Sequence, residues 1–74
     1  MIIVTRVLIE DGILIFKAKE NGIGDEFDHY HFSTERLKTD DDYSFWHRHL
    51  GEKYWYTKNI EADFFNLYMS LGEK

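Results

Sequence analysis

Two runs dominated by Ile, Val, Leu and Phe, Ile2 to Glu10 and Ile13 to Glu20, are separated by the dipeptide Asp11-Gly12. Asp-Gly tolerates the positive φ angles of a two-residue hairpin turn, so the chain is expected to begin with a tight antiparallel hairpin. A loop of that length sets the register. It pairs Ile9 with Leu14, Val7 with Phe16 and Thr5 with Ala18, placing Ile3, Val7, Ile9, Leu14, Phe16 and Ala18 on one face. That face is the expected core side of a sheet.

The segment NGIGD at 21–25 reads as a second turn and EFDHYHF at 26–32 alternates like a third strand. A five-residue loop places Tyr30 opposite Phe16 and Phe32 opposite Leu14, whereas a four-residue loop would turn His29 and His31 inward instead. Burying Tyr30 and Phe32 gains about 2 kcal/mol each, while burying two imidazoles costs free energy unless each finds partners. The five-residue loop follows. Phe27, His29 and His31 then stand together on the second face, near Ile15 and Lys17.

Asp40 to Leu50 reads as a helix capped by Thr39 or Asp40, with acids in the first turn and Gly51 as terminator. Tyr43, Trp46, His47 and Leu50 share a stripe, and Phe45, Arg48 and His49 point elsewhere. A second helix is expected over Ile60 to Leu71, capped by Asn59 or Thr57. Its stripe is Ile60, Phe64, Leu67 and Leu71, flanked by Tyr68. Between the helices, KYWYT at 53–57 reads as an extended connection or a short fourth edge strand. The expected fold is a single α+β domain over 1–74: a three-stranded antiparallel meander with two C-terminal helices on one face.

A chain of 74 residues removes only about 60% of its unfolded surface from water, so its core must be rich in large side chains. Hydrophobic residues at 43% and aromatics at 18% meet that need. Without cysteine, disulfides, thiolate metal sites and a cysteine nucleophile are excluded, leaving a histidine-carboxylate metal or self-association to reinforce a small fold. Thr5 and Arg6 interrupt the N-terminal apolar run, and nothing approaches the ~20 apolar residues of a membrane span. A cytoplasmic protein without membrane contact is expected.

All four histidines fall in two copies of His-x-His. On a strand, His29 and His31 project to the same side roughly 6.6 Å apart and suit one metal ion together with Asp28. On a helix the same spacing turns through about 200°, so His47 and His49 cannot share an ion. The favoured reading is the bland one, with His29 and His31 solvated, His47 a hydrogen-bonded group at the core margin and His49 a surface residue; a metal site on His29, His31 and Asp28 is the alternative. His31-Phe32-Ser33 has the His-x-Ser form of the two-histidine phosphoesterases, but His47-Arg48-His49 does not supply their second element. Ser44 and His47 lack an orienting carboxylate, and NGIG opens no helix, so neither a nucleophile nor a phosphate loop is indicated. No enzyme activity and no cofactor are expected.

The net charge of -5 is concentrated: eight acids lie between Glu20 and Asp42, against Arg36 and Lys38 alone. Such a middle segment repels nucleic acid and attracts basic surfaces. Capping explains Asp40, Asp41 and Asp42, so Asp25, Glu26, Asp28 and Glu35 are the unexplained part of a candidate partner-binding set that includes all seven. Carboxylates at alternate strand positions approach half the charge density of a DNA strand, one charge per ~3.4 Å. Phe45, Phe65 and Met69 lie off the core stripes and are the candidate contacts of a homodimer.

In size, acidity, aromatic content and lack of a catalytic motif, the chain resembles the small phage-encoded inhibitors that bind host proteins, DNA mimics among them. The resemblance is of whole-chain character. It implies inhibition by occupying the DNA-binding channel of a basic host protein, with a sliding clamp as the expected partner. Direct DNA or RNA binding is not expected.

Overall fold

The computed structural model describes residues 1–72. Three strands, β1 (Ile2–Glu10), β2 (Ile13–Glu20) and β3 (Ile23–Ser33), form an antiparallel sheet in the order β1-β2-β3. A single 3₁₀ turn, Thr34–Arg36, leads to helix α1 (Asp40–Leu50), and α2 (Lys58–Leu71) completes the domain. The fold is the expected α+β meander with two C-terminal helices. Among the described residues there is no fourth strand: residues 53–56 turn back on themselves, with the Lys53 amide bonded to the Leu50 carbonyl and that of Tyr56 to Lys53.

Both strand connections are two-residue turns with two positive φ angles in succession, Asp11 at 52° and Gly12 at 76°, Asn21 at 55° and Gly22 at 75°. The second corrects the expected five-residue loop over 21–25, because Asn-Gly carries the same hairpin signal as Asp-Gly. Yet Tyr30 does face Phe16 and Phe32 does face Leu14. The three extra residues are absorbed inside the ladder. Lys17 pairs with Asp28 rather than His29, and Glu20 pairs with Ile23 after a further shift where Gly24 stands at φ 88°. Burial of Tyr30 and Phe32 sets the register; bulges reconcile it with the tight turn.

A bulge also alters β1. Val4 pairs with Ala18 and Arg6 with Lys17, leaving Thr5 over. Val4 therefore takes the core position expected of Ile3, being 7% exposed against 43% for Ile3. The reason lies in Thr5, which an unbroken ladder would have paired with Ala18 on the core face. Displaced, its hydroxyl finds acceptors outside the core, the Glu26 carboxylate and the Lys17 carbonyl, to which it donates.

The helices cover one face of the sheet. Phe16, on the middle strand and fully buried, meets Trp55 at 5.3 Å, Phe64 of α2 at 5.9 Å and Tyr30 at 6.0 Å between ring centroids. Trp46 of α1 lies flat on Phe32, centroids 3.9 Å apart, and its indole N–H donates to the Arg36 carbonyl. Thr39 caps α1 in a reciprocal box with Asp42, and Thr57 caps α2, which starts two residues earlier than expected. Among the described residues no element covers the opposite sheet face, where Leu8, Ile15 and His31 stand side by side.

Replacing Phe16 by alanine removes a ring shared by β3, the helix connection and α2. Urea denaturation followed by tryptophan fluorescence should show a loss of about 3–5 kcal/mol, enough to unfold much of so small a domain. Thr39→Ala, which removes one cap, should cost only about 1 kcal/mol by the same measurement.

Candidate interaction surface

The acidic segment does not form one surface. β3 runs 11 residues between its two halves, placing Asp25 and Glu26 at one end of the sheet and Glu35 with Asp40, Asp41 and Asp42 at the other. At about 3.3 Å per residue that separation exceeds a Debye length of ~8 Å well over twofold, so the two groups do not sum into a continuous field.

On β3 cations pair with Glu26 and Asp28, though not with Asp25 among the described residues. Glu26 receives both Nε and Nη2 of Arg6, and Asp28 receives Lys17 across the ladder. The Thr5 hydroxyl and then the Arg6 guanidinium hold the Glu26 carboxyl below its ordinary value. At the other end, Glu35 pairs with Lys38, which lowers the pKa of the acid and raises that of the amine. Asp42 accepts the Lys38 and Thr39 amides, which depress its pKa. Asp40 accepts the Tyr68 hydroxyl, pushing that phenol up to about 12. Neutral donors leave the charge of these aspartates in place. Among the described residues Asp40, Asp41 and Asp42 have no Lys or Arg ion-pair partner, so the uncancelled negative potential gathers at the start of α1.

An open groove of about 680 Å³ lies at that same end, between the 34–40 segment and the end of α2. Leu37, Tyr68, Met69 and Leu71 supply its apolar lining, and Glu35, Lys38 and Asp40 its polar one. Sequence reasoning did not find it, because it forms only when the 3₁₀ turn carries Leu37 beside the last turn of α2. The Ser33 hydroxyl that starts this turn, accepting from the Glu35 amide, was the available local signal.

The histidines separate. The bulge at His29 turns its ring toward the helix layer, edge-on to Trp55 at 5.3 Å, while His31 stays on the open face opposite Ile15. The alternative in which His29 and His31 share a metal with Asp28 lacks its geometry here, and Asp28 is held by Lys17. No cluster of three His, Cys, Asp or Glu suited to a metal occurs among the described residues. His47 sits at the core margin as the bland reading has it. Its Nδ1 is 3.2 Å from the Tyr56 hydroxyl and its Nε2 3.4 Å from Glu61, a chain linking α1, the connection and α2. Burial raises the Tyr56 pKa, so this phenol is poorly suited to act as a nucleophile.

The candidate dimer residues also separate. Phe45, Phe65 and Met69 are each about half exposed. Tyr43 of α1 faces α2, contacting Phe64, Phe65 and Tyr68. Phe45 lies two residues on, about 200° round the helix, and stacks on His49 instead. Phe65 and Met69 therefore share a surface that Phe45 does not join.

Comparison with family models, curated proteins and solved structures finds no match to this chain. No helix among the described residues is long and apolar enough to cross a membrane.

Glu26, Glu35 and Asp42 all have lowered pKa values in the folded protein. Their stabilising contribution is complete above the ordinary carboxyl values, 4.5 for Glu and 3.8 for Asp, and disappears as pH falls through the lowered ones. Urea midpoints should be flat from pH 7 to about 5 and then fall toward pH 2. The fall should be shallower in Glu26→Gln, which starts from a lower midpoint at pH 7.

Proposed function

We propose that this chain is a non-enzymatic, cytoplasmic interaction protein whose binding surface is the groove between the 34–40 segment and the end of α2. One observation carries the reading: a groove of mixed apolar and polar lining lies beside Asp40 to Asp42, three adjacent carboxylates with no Lys or Arg ion-pair partner among the described residues. A partner that fits it presents an apolar side chain for Met69 and Leu71, flanked by Lys or Arg toward Asp40 and Asp41. Basic host DNA-binding proteins, sliding clamps among them, offer such surfaces, and an inhibitor of the phage type would act by covering one. Support for this reading comes from the groove and its acidic rim. Duplex-like charge spacing along β3 does not contribute, since Glu26 and Asp28 are ion-paired and remote from Asp40 to Asp42.

A groove partner and a duplex-mimicry partner separate in one experiment. A partner captured from a host lysate and identified by mass spectrometry would be titrated against the wild type, Asp41→Lys, and the double variant Asp25→Lys with Asp28→Lys. Asp41→Lys should weaken binding about tenfold and flatten its salt dependence, an effect near 1.4 kcal/mol, while the double variant should change little. Sensitivity confined to the double variant would move the binding surface to the other end of the sheet and end the groove reading.

A further inference from the structure

We propose that two copies of the chain pair through antiparallel α2 helices, along a seam of Lys58, Ala62, Phe65 and Met69 with Phe65 on the twofold axis. This deepens the interaction reading by naming one partner as the chain itself, and it removes Phe45 from the interface.

The first support is charge. In a chain with 31% charged residues, the run Phe64 to Gly72, FFNLYMSLG, contains none. The inward side chains of that run need no charge, but its exposed residues Phe65, Asn66, Met69 and Ser70 form an outer helix surface of the kind that usually carries charge. Each copy has a net charge of -5, so two copies repel wherever carboxylates must meet. The outer side of α2 is where they approach without burying one. Glu61, four residues before Phe65 and its nearest acid around the helix, is turned toward His47 of α1 at 3.4 Å, and Asp63 lies about 100° from Ala62.

Spacing and shape are the second support. Lys58, Ala62, Phe65 and Met69 follow one another at four, three and four residues, within about 60° of arc, the recurrence of a helix-pairing seam. An antiparallel twofold through Phe65 sets small against large, with Ala62 opposite the partner's Met69 and the two Phe65 rings meeting at the centre. Lys58 falls beside the end of the partner's α2, where the helix dipole favours a cation. The Tyr43 ring, edge-on at 5.7 Å, braces Phe65 from one side only and leaves it 45% exposed. Met69 is common to the seam and the groove, whose other lining residues lie outside the seam.

The absence of cysteine allows a direct test. A residue on a twofold axis meets its own copy, so oxidised Phe65→Cys should run mainly as a covalent dimer, whereas Phe45→Cys should remain monomeric under the same conditions. Wild-type protein should dimerise weakly in sedimentation equilibrium, with Kd on the order of 10–100 µM given so narrow a seam. Phe65→Asp should raise that constant at least tenfold with an unchanged circular dichroism melt. A wild type monomeric to about 1 mM, or Phe45→Cys that crosslinks as readily as Phe65→Cys, would overturn the pairing. Asp41 lies outside the seam, so Asp41-sensitive partner binding that persists in Phe65→Asp separates failure of the dimer from failure of the groove.

Discussion

The buried ring of Phe16 is the contact on which the other elements converge. It sits on the middle strand and touches Tyr30 of β3, Trp55 of the helix connection and Phe64 of α2, while α1 joins the same core through Trp46 on Phe32. Among the described residues of so short a chain there is one buried core cluster and no second to compensate for it. Aromatic side chains supply this core because each removes a large area from water while ordering only two side-chain torsions.

That demand explains the irregular ladder. Tight turns at Asp11-Gly12 and Asn21-Gly22 are strong local preferences, and the inward placement of Tyr30, Phe32 and Val4 is a strong non-local one. Both are satisfied because the backbone takes up the mismatch at Thr5, at His29 and near Gly24. The bulges then have chemical consequences. One sends the Thr5 hydroxyl to Glu26, next to Arg6, and a second divides His29 from His31.

Charge is redistributed by the same geometry. A segment that is uniformly acidic in sequence becomes an ion-paired patch at one end of β3 and an uncancelled cluster at the start of α1. The cluster adjoins the apolar groove and the charge-free side of α2. Unopposed carboxylates and the groove are thereby gathered on the helix layer, although the densest run of unexplained acids in the sequence lies on the sheet.

Local patterning was sufficient for the elements themselves: alternation and Asp-Gly for the first hairpin, caps and periodicity for Asp40–Leu50, and the outward position of Phe45, Phe65 and Met69. These depend on residues within a few positions of one another, so their physics is contained in short stretches of chain. Which carboxylates keep their charge unopposed, whether two histidines share a face, and where a groove opens depended on packing between distant segments. A bulge of one residue reverses a strand's faces, and its free energy is set by side chains that lie far away in sequence.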